Sequence, residues 1–355
     1  LLSPKILNSD LIIYEILMKR ISLKDIAKQA GVVPSTVSFV LNGKAKQMRI
    51  SDELAEKIKA LIEAAGYQPH HTAVSLRTGK TKILGLIVED ISNVFFASLA
   101  KSIEDAAYSL GYRIVYCSTE NDPEKGKELI RMLTHQQVDG YLITPTPGME
   151  NDINNLIKNN KPVVLMDRFL PGLDVPFTLV DNYAGVKLGM EHLLGKGHKN
   201  IAFVTLDTQQ IQMLQREKGY TDTLEKHGIK VRKELIERIP FKCKPEEAIK
   251  RVSGFIESNP GIDAIFFATN YLGMYGLESI KKAGLKIPEE IGVICFDDHD
   301  IFRLFTPAIT IIRQPIEEIA KTAIDMLVGQ LENNHIISSE SQIYKEPELI
   351  IRSST

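Results

Sequence analysis

The chain has 355 residues, 44% hydrophobic and 25% charged, with a formal net charge of −2, which describes an ordinary soluble chain long enough for two or three domains. Its cysteines, Cys117, Cys243 and Cys295, lie far apart without CxxC or Cys/His ligand spacing, so reduced thiols in a cytoplasmic setting are expected and no metal or cofactor is implied. The most apolar stretches, such as Ile83 to Val88, are strand-length and soon reach charge at Glu89 and Asp90, which excludes a membrane-spanning helix.

In chain order, residues 1–17 carry an apolar patch, Leu11 to Leu17, interrupted by Glu15 and followed by Lys19 and Arg20, the wrong order for a signal peptide. They are expected to be an extension without a part in function. Residues 18–82 then hold twelve Lys and Arg against five Asp and Glu, a net +7, whereas residues 83–355 carry a net −8. A basic head before an acidic body is the asymmetry expected of a nucleic-acid-binding module, since neutralising phosphates releases counterions.

Within residues 18–68, Leu23, Ile26, Ala27 and Ala30 share one helical face and Gly31 supplies the stop. Pro34 suits the first turn of a second helix, with Val37, Val40 and Leu41 as its apolar stripe and Asn42-Gly43 as its end. Ser51 caps a third helix running through Ile58, Leu61, Ile62 and Ala65. Two short helices joined by a Gly-containing turn make a helix-turn-helix, whose second helix enters the major groove. That helix carries no charge of its own. Its N-terminus offers backbone N–H groups to a phosphate, Thr36, Ser38 and Asn42 are neutral hydrogen-bond donors, and Lys24 and other nearby cations, with Arg77 in the linker 69–82, supply charge.

After Lys82 the chain alternates strand-like runs (83–88, 113–117, 140–144, 163–166, 201–204, 264–268, 292–296) with helical periods (95–110, 124–135, 149–158, 183–195, 211–226, 246–257, 272–282). This pattern predicts two doubly wound parallel sheets with helices on both faces, closed by a helix at 315–331 and a strand near 344–350. Ligands bind such sheets beyond the carboxyl ends of the strands. Polar residues fall there: Glu89-Asp90, Asp167-Arg168, Thr269-Asn270 and Asp297-Asp298. Each Asp is as readily a helix cap as a ligand group.

The segments LKDIAKQAGVVPSTVSFVLNG, ISDELAEKIKALIEAAGYQP and HHTAVSLRTGKTKILGLIV resemble the head and hinge of the LacI family of bacterial transcription regulators. The resemblance extends from Ser22 to Arg352. It implies a small all-α helix-turn-helix head and an α/β body resembling periplasmic sugar-binding proteins, with one subdomain from 83–181 and 314–345 and the other from 182–313 and 346–355. It implies that Pro34, Ser35 and Phe39 face bases, and that Leu76 wedges into the minor groove as part of a hinge helix formed on operator DNA. Relatives often carry Arg at the position of Phe39; an exposed Phe there suits a thymine methyl, whereas one turned inward joins the head's small core.

By position, Asp167, Arg216 in QREKGY, Asn270 in FATN, Asp297 in CFDD and Gln314 in IRQP match residues that line the family's effector pocket. Asp90 and, in EDISNVFF, Asn93, Phe95 and Phe96 occupy the first-strand loop facing the same cleft. Carboxylate, guanidinium and amide groups beside aromatic rings suit a neutral, hydroxyl-rich ligand, a carbohydrate. Tyr271 stands where the family often has Asp, and either stacks on ligand or packs. The expected protein is a homodimeric repressor of a pseudo-palindromic operator, controlled by a small effector as inducer or corepressor, with no membrane partner. Control by a docking protein or a non-sugar metabolite is the alternative. An enzyme is disfavoured because neither GxSxG nor HExxH occurs, and a transport-type binding protein is disfavoured by the basic head.

Overall fold

The computed structural model describes residues 21–67, 79–333 and 342–355, and divides into two units, residues 1–81 and 82–355. The expectations for residues 1–17 and for Leu76 and Arg77 lie outside the described residues.

In the first unit, α1 (Leu23–Ala30) starts at a reciprocal cap. Ser22 Oγ accepts from the Asp25 N–H at 3.3 Å, and the Asp25 carboxylate accepts from the Ser22 N–H at 2.9 Å. Gly31 ends the helix at φ 75°, a conformation that a side chain would strain. α2 (Pro34–Leu41) follows at once, with Pro34 in its first turn, and α3 (Asp52–Ala64) is capped by Ser51. Their apolar stripes meet in one small core in which Ile26, Val37 and Ile58 are fully buried. Each such side chain contributes about 1.5–3 kcal/mol, so three helices hold this little domain together with few residues to spare.

The second unit runs β1 (Ile83–Val88), α4 (Val94–Ser109), β2 (Arg113–Ser118), α5 (Pro123–His135), β3 (Gly140–Ile143), α6 (Glu150–Lys158), β4 (Val163–Met166) and β5 (Phe177–Val180). It continues with α7 (Asn182–Gly195), β6 (Ile201–Asp207), α8 (Ile211–Lys226), β7 (Ile236–Pro240), α9 (Pro245–Ser258), β8 (Ala264–Phe267), α10 (Asn270–Lys282), β9 (Gly292–Phe296), α11 (Asp300–Leu304), β10 (Thr310–Arg313), α12 (Ile316–Asn333), β11 (Gln342–Lys345) and β12 (Glu348–Ile350). Two six-stranded sheets result, ordered β11-β5-β4-β3-β1-β2 and β12-β10-β9-β8-β6-β7. Strands β1, β3 and β4 and their counterparts β6, β8 and β9 are buried along nearly their whole length, as parallel strands covered on both faces must be.

The expected closing strand near 344–350 is instead two strands in different sheets. β11 runs parallel to β5, whereas β12 runs antiparallel to β10. The residues between them, Glu346 and Pro347, carry the chain across, and the Pro lacks the N–H that a continuous ladder would need. Strands β5, β7 and β10 and the short helix α11 were not legible in the sequence.

Helix α10 packs on β8 and β9 so closely that it needs glycine. A Cβ built on Gly276 would sit 1.9 Å from Cζ of Phe267, a ring that is fully buried. Ala is the better helix former by about 1 kcal/mol, but overpacking a dense interior costs about 1–3 kcal/mol and more where the ring has nowhere to go. The clash wins. Gly276→Ala is expected to lower the urea midpoint of the body without changing the slope of the transition, and an unchanged midpoint would show that Phe267 can move aside.

Candidate effector cleft and DNA-reading helix

The cleft is built where carboxyl ends of both sheets face one another. After β4 and after β9, at equivalent places in the two sheets, an Asp sits in the left-handed region: Asp167 at φ 64° and Asp297 at φ 70°. Asp tolerates that conformation better than most side chains, yet it still carries local strain, a feature that clusters at functional sites. Both Asp residues are buried.

Around them lies a dense polar network. Arg168 is 2% exposed. Its guanidinium donates from Nη2 to Glu89, from Nε to Asp167 Oδ2 at 2.8 Å, and from Nη1 to Asn121 Oδ1 at 3.0 Å. Burial opposes the charge on Arg168, but Glu89 and Asp167 outweigh it and raise the pKa. Arg216, on α8, donates to Asn182 Oδ1 at 2.8 Å and to the Ala268 carbonyl at 2.5 Å, and its guanidinium lies 3.6 Å from the centroid of the Phe296 ring. Its Nη1 is 3.9 Å from Asp297 Oδ2, too long for a hydrogen bond. Burial therefore dominates both partners, lowering the Arg216 pKa and raising that of Asp297. Gln314 Nε2 donates to Asp297 Oδ1 at 2.6 Å.

Besides Gln314–Asp297, two amide–amide bridges cross between the subdomains. Gln210 Nε2 donates to Asn121 Oδ1 at 2.9 Å, and Asn270 Nδ2 donates to Asn93 Oδ1 at 3.3 Å. With these closed, the inner cavity is only about 40 Å³, lined by Asn93, Phe95, Phe96, Asp167, Arg216, Asn270, Tyr271 and Asp297 among others. The structure thus brings eight of the ten sequence-named effector residues onto one cavity, and Gln314 joins through its bond to Asp297. Asp90 is placed differently: its carboxylate accepts from the N–H and the hydroxyl of Ser92, and it lines an outer cavity rather than the inner one. Burial pushes the Tyr271 phenol pKa up.

Three buried polar atoms of this network have no partner among the described residues: Asn121 Nδ2, Gln212 Oε1 and Gln314 Oε1. Buried polar groups are nearly always paired, so one donor and two acceptors left open mark where a polar ligand has something to gain. Sequence reasoning named Glu89 and Arg168 only as polar residues at strand ends, outside the effector set, and missed Asn121, Gln210, Gln212 and Phe241, the last of which lines the outer cavity. Phe241 follows β7, a strand that the sequence did not reveal.

On the head, α2 buries Val37 and Val40 and exposes Pro34 and Ser35, with Thr36, Ser38 and Phe39 half-buried. No side chain caps its N-terminus, since Val33 stands there. Asn42 is exposed, but its amide donates to the Ser38 carbonyl at 2.5 Å and to Ser38 Oγ at 3.3 Å, so it closes the helix end. Lys24 is exposed on α1.

Residues 22–70 match the family described as bacterial regulatory proteins, lacI family, and residues 190–355 match a periplasmic binding protein-like domain. The "HTH-type transcriptional repressor PurR" of Photobacterium profundum is 30% identical over 340 residues, covering 94% of this chain and 98% of the relative. The "Ribose operon repressor" of Halalkalibacterium halodurans is 29% identical over 335 residues, covering 94% and 97%. In fold, the chain is similar to the lac repressor dimer solved with operator and the anti-inducer ONPF, with a TM-score of 0.83, 22% identity, and coverage of 95% of this chain and 99% of that one. The basic three-helix head and the body of paired parallel sheets are therefore those of a DNA-binding transcription regulator rather than an enzyme, and the chain belongs to the LacI family of bacterial regulatory proteins.

Proposed function

We propose that the protein is a homodimeric repressor whose two heads read half-sites of a pseudo-palindromic operator, and whose affinity for DNA is set by a small carbohydrate bound between the subdomains of the body. The observation that carries this reading is the cleft: three carboxylates, two guanidiniums and several amides beside the rings of Phe95 and Phe96, with three buried polar atoms of the surrounding network left without partners among the described residues. Such a set matches the vicinal hydroxyls and apolar face of a sugar. A relative named for the ribose operon supports the same ligand class. Subdomain limits at residues 181/182, 313/314 and 345/346 let ligand bias the rotation of one sheet against the other, and a coupling of about 1–3 kcal/mol suffices for a useful change in operator affinity.

Titration calorimetry with a panel of sugars, run beside operator mobility shifts with and without each one, tests this. A sugar that binds and changes operator affinity is the expected result. Binding of none of the panel, with operator affinity altered by a protein fraction instead, would replace the sugar with a partner protein.

In the head, Lys24, Pro34, Ser35, Thr36, Ser38, Phe39 and Asn42 form the DNA-facing set in this reading, with Leu76 of the linker acting in the minor groove and Arg77 supplying charge. Phe39 contacts a thymine methyl. Phe39→Arg is expected to move the preferred base at one symmetric pair of operator positions toward guanine, with discrimination of about 1–3 kcal/mol. An operator-selection profile unchanged at every position would remove Phe39 from the readout.

A further inference from the structure

A cavity of about 530 Å³ opens on the Asp297–Gln314 bond, apart from the inner chamber of the cleft. Asp297 borders both, whereas Gln314 borders this cavity and not the chamber. Its size falls within the range of about 300–1,000 Å³ of pockets that bury small ligands. Val94, Phe95, Ser98 and residues 314–318 form one side, and residues 297–300 with Arg303 and Arg313 form the other. Charge in these walls is one-sided, five carboxylates against two guanidiniums. Both guanidiniums are taken, Arg303 by Asp300 and Arg313 by Asp298, each at 3.2 Å. Glu317 has no hydrogen-bond or ion-pair partner among the described residues, and Glu318 has Lys345 at 3.8 Å. Acids in a first turn suit the positive end of a helix, here α12, so these two make no site by themselves. Gln314 supplies the independent observation. It is 4% exposed, spends Nε2 on Asp297, and keeps Oε1 without a partner among the described residues. Buried acceptors are nearly always paired, so this wall calls for a donor, and the carboxylates beside it call for a cationic one.

We propose that this cavity is a second ligand site, distinct from the effector chamber, and that it takes an organic ammonium. The ammonium donates to Gln314 Oε1 and to the Glu317 and Glu318 carboxylates, while the hydrocarbon part lies on Val94, Phe95 and Ile316. The two sides of the cavity belong to different subdomains, meeting at the 313/314 limit, so occupancy biases the rotation of one against the other and with it the affinity for operator. That consequence rests on the rotation proposed above; the site and its ligand class do not.

Calorimetry on the full chain with n-hexylamine, hexan-1-ol and hexanoate, alike in shape and different in charge, tests the site. Operator shifts with and without the amine test its consequence. The amine, a cation at neutral pH, is expected to bind about tenfold or more tighter than the alcohol, with hexanoate weaker still. Glu317→Gln combined with Glu318→Gln is expected to erase the preference for the amine, and an unchanged urea midpoint confirms that this variant is folded. A preference that survives the double variant is a general attraction to the acidic body and overturns the proposal. So does an alcohol or a carboxylate that binds as tightly as the amine, or an amine that does not bind. Saturation with amine is expected to change operator affinity about fivefold or more; binding without such a change overturns the coupling and leaves the site. A body that binds no sugar defeats the carbohydrate reading and leaves this proposal standing.

Discussion

Replacing Arg168 by Ala is expected to lower the unfolding free energy of the body by about 3–5 kcal/mol, the cost of breaking a buried ion pair by removing one partner. The reason lies in what remains. Arg168 is 2% exposed and holds Glu89 and Asp167, each only 8% exposed, so the truncation leaves two carboxylates in a low-dielectric site with no cation in hydrogen-bond contact. Arg216 does not rescue them, because its own guanidinium is committed to Asn182 and the Ala268 carbonyl. The ion pairs themselves need not be strongly stabilising; it is the unpaired charges that cost. Arg168→Met combined with Glu89→Gln and Asp167→Asn is therefore expected to recover most of the loss, since neutral replacements of a whole buried pair are often no less stable than the pair. Urea unfolding of the single and triple variants measures both. A single variant within about 1 kcal/mol of wild type, the range of a surface pair, would mean that water reaches these carboxylates.

The same residue shows how far the sequence could be read. The two parallel sheets were legible because β1, β3, β4, β6, β8 and β9 are central strands buried on both faces, and burial on both faces writes a continuous apolar run. The strands that escaped notice lie at or toward the sheet margins or are very short. β7 is an edge strand reading IERIP, with Glu237 and Arg238 inside it, and β5 is a four-residue run directly after Pro176. Site residues were legible where they stand immediately after a readable strand, as Asp167 and Asp297 do. Arg168 was named at a strand end but left out of the effector set, because a charged residue in a loop normally points to solvent. Only the left-handed turn at Asp167 and the burial of its neighbour reveal that both side chains enter the cleft. Asn121 and Gln210 were invisible for a related reason: their importance is that they meet across the cleft, 89 positions apart in the chain.

Asp297→Asn is expected to separate stability from effector response. Burial raises the Asp297 pKa, Arg216 and the Gln314 hydrogen bond pull it back, and the nearby Asp167 charge adds to the rise. A carboxylate whose folded pKa lies above its unfolded value loses stability for the protein as pH rises. Below the ordinary carboxylate range both states are protonated and the group contributes nothing. As pH climbs through that range the unfolded chain ionises first, and the folded state falls behind until it ionises too. Asn is isosteric, still accepts from Gln314 Nε2 through its carbonyl, and never ionises. The variant is thus expected to match wild type in acid and to be the more stable of the two at neutral pH, the difference appearing above the ordinary carboxylate pKa. Binding should move the other way. If Asp297 accepts hydrogen bonds from ligand hydroxyls as an anion, the amide forfeits a charge-assisted bond worth about 1.5–3 kcal/mol, a loss of about 10- to 100-fold in effector affinity. Operator affinity without effector should be untouched. Chemical denaturation at several pH values, with calorimetry and operator shifts at neutral pH, checks each part. A variant that is less stable than wild type at neutral pH would mean that the Arg216–Asp297 attraction at 3.9 Å outweighs the burial of the carboxylate, and the charge at this position would then be structural.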